Sequence, residues 1–219
     1  MSIPRVIRNA VRAVVIVGVL LVVGIFGWAL NSRGMPQLEL WHSEKLPSQF
    51  DRKDIESMSG LEDYLQREDQ LFEELEKQVY DQLGSAKQWN FNRYQRGSNT
   101  DPTSLPQDFN RSYQLQPSGV PRCGVVLVHG LTDSPYSMRH LAETYVSEGC
   151  YALSMRMPGH GTVPRGLVTA SWKDWRAAVA LGAAAVRSRI GESAPLFLAG
   201  YSNGGALVLD AHRRLIKRP

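Results

Sequence analysis

"LAGYSNGGALVL", residues 198–209, sets one serine between spaced glycines where an apolar run passes into a helix-like run. The run before it, "PLFLA" from Pro195, is short and apolar in the manner of a buried strand, and "NGGALVLDAHRRLIK" after it reads as a helix. A chain that turns from strand straight into helix at Gly200-Tyr201-Ser202-Asn203-Gly204 has no room for side chains two before and two after the serine. Glycine fills both places. In a plain loop the same letters would be only a Gly-rich turn. Between a strand and a helix they form the G-x-S-x-G elbow that holds a serine hydroxyl out at the C-terminal edge of a sheet.

Working outward, the segment from Gly124 alternates strand and helix signals. "VVLV" is a buried strand, and "SPYSMRHLAETYVSEG" is a helix with Ser134 as its cap, Pro135 first and Gly149 past its end. "YALSM" is the next strand. "SWKDWRAAVALGAAAVRSRIG" is a helix opened by Ser171 and Asp174, with an Ala-rich side suited to close approach. With the elbow strand and its helix, the order predicts an α/β domain: a mostly parallel sheet with helices on both faces and right-handed crossovers.

Upstream, "SGLEDYLQREDQLFEELEKQVYDQLG" predicts an amphipathic helix. Ser59 and Glu62 read as a capping box, Leu61, Leu65, Phe72, Leu75, Val79 and Leu83 form its apolar stripe, and Gly84 ends it. Its acidic side is expected to be a solvated face on a helix packed against its own domain, with partner binding as the other reading. Residues 85–122 are turn-rich, with one short strand expected around "RSYQLQ". The division expected is residues 1–30 for a cytoplasmic flank and membrane helix, 31–111 for a tether and amphipathic helical region, and 112–219 for the α/β domain.

Ala13 to Leu30 is 18 residues without a charge, about 27 Å as a helix, and reads as a membrane span rather than a cleaved signal, for which "FGWALNS" has no small-x-small site. Arg5, Arg8 and Arg12 precede it against Arg33 just after, which predicts a cytoplasmic N-terminus and an extracytoplasmic C-terminal domain, periplasmic in a bacterium. The net charge of +4 comes largely from that flank and from Arg213, Arg214, Lys217 and Arg218. No basic face runs through the middle, so nucleic acid is not an expected partner. At 43% hydrophobic residues the chain has ample material for a core. Cys123 and Cys150 each precede a predicted strand. In neighbouring parallel strands they would lie at one height, where a disulfide in an oxidising compartment and a pair of buried thiols are both open.

From about residue 112 onward the sequence resembles the α/β-hydrolase family, in particular its bacterial carboxylesterase and monoacylglycerol-lipase-like members. "LVHGLTDSP", "RMPGHGT" and "GYSNGG" follow successive strands in the family's order, and "TASWKDWRAAV" is similar to its Trp-containing helix start. The resemblance implies Ser202 as nucleophile and backbone N–H groups of Leu131 and Asn203 as oxyanion donors, with Gly200 and Gly204 as elbow glycines. It implies a lipid or small-molecule ester substrate and no cofactor or metal. His129 and His160 are expected to shape loops rather than to act as the base.

The family's acid and histidine follow the serine on later strands. Here Asp210 and His212 come next, but they stand on the helix leaving Ser202, about 12 and 15 Å along its axis, and are not the triad. The chain therefore reads as the anchored N-terminal half of a serine hydrolase, with a complementing chain as a conceivable partner. The alternative is a catalytically incomplete fragment serving as a membrane-bound interaction or structural protein.

Overall fold

The computed structural model describes residues 4–35, 37–85, 91–104 and 107–216 and contains two compact units, 1–38 and 39–219. Lys217 and Arg218 lie outside the described residues. The first unit is one helix, α1 (Arg5–Ser32), whose residues all face outward and whose length and composition suffice to cross a membrane. It takes in the three N-terminal arginines, so the helix is longer than its uncharged stretch.

The second unit opens with two short helices, α2 (Leu40–Ser43) and α3 (Arg52–Ser57). Residues 39–58 were expected to belong to a tether. Instead Leu46, Phe50 and Ile55 are buried in the core, because three large apolar side chains spaced along a polar segment suffice to dock it. The amphipathic helix follows as α4 (Leu61–Leu75), a π-helical turn (Glu76–Tyr80) and α5 (Asp81–Leu83), ending at Gly84 with φ +67°. Its cap is displaced from the expected box. Gly60 is the N-cap, and the Ser59 N–H and hydroxyl both donate to Asp63 Oδ2 rather than engaging Glu62. Its deepest residues are Tyr64, Glu68, Leu71, Leu75 and Val79, while Leu65 is only half-buried.

The sheet has four strands, β1 (Tyr113–Leu115), β2 (Cys123–Val128), β3 (Cys150–Met155) and β4 (Leu196–Gly200), in the order β1-β3-β2-β4. β2, β3 and β4 are mutually parallel, and β1 runs antiparallel to β3. Every residue of β2 and β3 is buried, as expected of strands covered on both faces. One face, through Val125, Leu127 and Ala152, packs on α6 (Arg139–Ser147) and the 3₁₀ turn Pro135–Met138 before it. Ser134 heads that turn without a side-chain cap, its N–H donating to Asp133. The other face, through Val126, Val128, Leu153 and Met155, packs on α8 (Trp172–Ile190) and α9 (Asn203–Ile216), with α4 joining the same core.

The Ala-rich side of α8 does approach closely. A side chain at Gly182 would stand 2.2 Å from the sulfur of Met155. The predicted Ser171–Asp174 box forms at the N-terminus of α8, and Asp174 also accepts the Arg52 N–H from α3 at 2.7 Å. A further short helix, α7 (Pro164–Thr169), lies between β3 and α8. Cys123 and Cys150 are register partners at the starts of β2 and β3, with Cα atoms 4.4 Å apart, and form a disulfide. β4 is an edge strand, half-exposed and paired only with β2 among the described residues.

Candidate active site

β4 ends at Gly200, Tyr201 donates its N–H to the Val128 carbonyl at 3.1 Å, and α9 starts at Asn203. Between them Ser202 has φ +53°, alone among the described non-glycine residues in taking a positive value. That conformation costs a side-chain-bearing residue on the order of 1–3 kcal/mol. The turn is closed by Gly204 N–H to Tyr201 O (2.8 Å) and Gly205 N–H to Ser202 O (3.0 Å). Both flanking glycines are required by backbone, not by flexible side chains. A Cβ at Gly200 would meet Gly204 O at 2.3 Å, and one at Gly204 would meet Val128 O at 2.1 Å. Ser202 itself is exposed.

The loop leaving β2 forms the opposite wall. A Cβ on Gly130 would lie 3.2 Å from the Tyr201 ring and 3.5 Å from Ser202 Cβ. His129, 1% exposed, lies beneath this loop. Its Nε2 accepts the Met157 N–H at 3.1 Å, which leaves Nδ1 to carry the proton and donate to Gly130 O at 2.8 Å. Burial, the largest influence, pushes its pKa down to about 4, so the ring is neutral. In a trans peptide the C=O and N–H point in opposite directions, so holding Gly130 O aims the Leu131 N–H the other way. Neither the Leu131 nor the Asn203 N–H has a hydrogen-bond partner among the described residues. Asn203, as the first residue of α9, also presents the positive end of the helix.

The loop after β3 holds Leu131 from its other side. His160 Nε2 donates to Leu131 O at 2.7 Å, and the ring packs edge-on against His129 and Trp175. Burial lowers its pKa, against the carbonyls of Leu131, Pro158 and Met157, which favour the charged form. Trp175 Nε1 donates to Pro158 O at 2.8 Å and ties α8 to this loop.

Behind the loop, Arg156 is fully buried. Its Nε–H donates to Glu68 Oε2 at 3.0 Å, its Nη1–H to His160 O at 3.0 Å and its backbone N–H to Ser112 Oγ at 2.8 Å. Glu68 also accepts the N–H and hydroxyl of Ser112, and Tyr64 donates to Arg156 O.

Of the residues singled out in the sequence, Ser202, Gly200, Gly204, Asn203 and, through Gly130, Leu131 come together at the C-terminal edge of the sheet. Asp210 and His212 do not. Asp210 pairs with Arg214 at 2.9 Å and His212 is exposed farther along α9. Glu68, Arg156, Ser112 and Tyr64 were not anticipated. Their signal was a glutamate inside the stripe Tyr64, Glu68, Leu71, Leu75, where an apolar side chain belongs.

The family described as serine aminopeptidase, S33, matches residues 119–218. A thermostable monoacylglycerol lipase of Bacillus sp. (strain H-257) is 40% identical over 86 residues, 39% of this chain and 33% of the lipase. A solved structure from work on LipS and LipT, two metagenome-derived lipolytic enzymes, aligns at 33% identity over 52% of this chain and 43% of its own, with a TM-score of 0.45. The chain thus spans about a third of the length of the curated relative it matches. The stretch matched by the family, 119–218, is the one that builds the three parallel strands and the turn at Ser202, an arrangement of the α/β-hydrolase type.

Proposed function

We propose that this chain carries the nucleophile and oxyanion hole of a serine hydrolase acting on carboxylic esters, anchored to a membrane by α1. The observation that carries the reading is Ser202 held at positive φ, facing Gly130, with the unpaired N–H groups of Leu131 and Asn203 on the two adjoining segments. In the reaction Ser202 Oγ attacks the ester carbonyl carbon and gives up its proton to a base. The carbonyl oxygen becomes an oxyanion held by the two N–H groups, and the C–O bond to the alcohol breaks as that oxygen takes a proton. Water then hydrolyses the acyl-enzyme by the reverse sequence. Each donor contributes about 3–4 kcal/mol in the transition state.

Turnover requires a histidine and an acid beside Ser202. The described histidines do not serve. His129 and His160 have their ring nitrogens engaged by the backbone of the two loops, His42 accepts the Glu39 N–H, His140 pairs with Glu143, and His212 is about 15 Å along α9. The monoacylglycerol lipase supports an ester substrate with an acyl chain, whereas the matched family's description points to amide cleavage. The three arginines before the apolar stretch and the disulfide support an extracytoplasmic domain.

A fluorophosphonate probe tests the nucleophile. Labelling of the full chain that is lost in Ser202→Ala is the expected result, and turnover of a monoacylglycerol above that of an aminoacyl anilide, once a complementing segment supplies a histidine and an acid beside Ser202, assigns the ester. Equal labelling of both proteins returns the chain to the alternative, a membrane-bound interaction or structural protein.

A further inference from the structure

We propose that Glu68, on a helix outside the matched residues 119–218, sets the position of the Leu131 oxyanion donor through Arg156 and His160, making these three positioning residues for the site. The inference rests on the roles proposed above for Ser202 and Leu131.

The connection is continuous and buried. Glu68 Oε2 accepts from Arg156 Nε at 3.0 Å, Arg156 Nη1 donates to His160 O at 3.0 Å, and His160 Nε2 donates to Leu131 O at 2.7 Å. Glu68, Arg156 and His160 are 2%, 0% and 3% exposed, so water does not take over a broken link. Guanidinium donors sit in a rigid planar fork. Once Nε is fixed on Glu68, the direction of Nη1, and with it the place of the His160 backbone, is fixed relative to α4. The His160 ring is then confined between His129 and Trp175, with centroids at 4.8 and 5.5 Å, and has one way to present Nε2.

At the end of the chain of bonds Leu131 is 46% exposed, and packing alone does not hold it. Its two peptide groups are held instead by the two histidines, His129 through Gly130 O and His160 through Leu131 O. A buried ion pair of this kind is commonly no more stable than apolar residues of equal volume, and Arg156 Nη2 has no hydrogen-bond partner among the described residues. What the pair supplies that apolar side chains would not is direction. A donor misplaced by about 1 Å costs on the order of 100-fold in rate.

The test compares His160→Leu, His160→Gln, Arg156→Lys and Glu68→Gln in the full chain, each checked for folding by near-UV circular dichroism. Two quantities are read: amide hydrogen exchange of Asp133, whose N–H donates to Gly130 O across this turn, relative to β2, and the rate of Ser202 labelling by a fluorophosphonate. The expected result is exchange at Asp133 raised at least about tenfold in His160→Leu with β2 unchanged. Labelling falls in parallel, and both recover in part in His160→Gln, whose amide restores a donor. Arg156→Lys and Glu68→Gln show the same pattern more weakly. Folded variants with wild-type exchange at Asp133, or exchange raised equally in β2, overturn the proposal. If Glu68→Gln does not fold, the His160 pair and Arg156→Lys decide. Absence of Ser202-dependent labelling in the wild type overturns the reading of Ser202 alone, because the exchange measurement still decides the link from Glu68 to Leu131.

Discussion

Gly204 lies so close to Val128 that a Cβ on the glycine would stand 2.1 Å from the valine's carbonyl oxygen. The obstruction is backbone at the end of a buried strand and cannot swing aside. Gly204→Ala is therefore expected to destabilise the domain by at least about 3 kcal/mol and to abolish labelling of Ser202. One residue on, a Cβ at Gly205 would meet Gly200 O at an ordinary 3.5 Å, and Gly205→Ala in the first turn of α9 should gain about 0.5–1 kcal/mol. Chemical denaturation of the two variants side by side checks the contrast.

Ser202 combines a side chain with φ +53°. Removing the side chain altogether relieves that conflict, whereas alanine keeps it. Ser202→Gly should therefore unfold at a higher temperature than Ser202→Ala, by the equivalent of about 1 kcal/mol. A calorimetric comparison in which alanine is the more stable would show that the turn is not strained.

Glu68 and Arg156 pair in the core at 3.0 Å with side chains 3% and 0% exposed. Glu68→Ala leaves a buried guanidinium without its counter-charge and should cost about 3–5 kcal/mol, whereas a Glu68→Met, Arg156→Leu double variant should recover most of that loss. Urea unfolding of the single and double variants gives the comparison. A double variant as unstable as the single would show that volume, not charge, was lost.

His129 has its pKa pushed down from 6.5 to about 4 by burial. Between those values the unfolded chain binds a proton that the folded chain does not. Its contribution is thus complete above pH 6.5 and is lost as pH falls toward 4, on the order of 3 kcal/mol in all. His160, also lowered by burial, acts in the same direction. Unfolding free energies at pH 7.5 and 4.5 should differ by less in His129→Gln than in the wild type.

Cys123 and Cys150 close a loop with a sequence separation of 27 between the first residues of two adjacent strands. Reduction should cost about 3–4 kcal/mol by chain entropy. The thermal midpoint should drop with reductant in the wild type and stay constant in a Cys123→Ser, Cys150→Ser variant.

Local rules made much of this protein legible. Short apolar runs alternating with helical spacing are enough to name β2, β3 and β4 and the helices between them, and glycines at 200 and 204 are enough to place a forbidden turn around Ser202, because both signals are written within a few residues. The same holds for α1, whose uncharged length is read directly from the sequence. Other features depend on what lies across the fold. The cap of α4 moved from Glu62 to Asp63 because two adjacent acids present the same local signal, and with Gly60 as the N-cap it is the second that Ser59 reaches. Residues 39–58 joined the core because Leu46, Phe50 and Ile55 found buried sites that no spacing within the segment announces. The pairing of Cys123 with Cys150 awaited the register of β2 on β3. The connection from Glu68 to Leu131 spans residues 68, 156, 160 and 131, whose order along the chain carries no trace of their contact. Periodicity and turn sterics are properties of neighbours in sequence, whereas a buried charge finds its partner only when distant elements exclude water together.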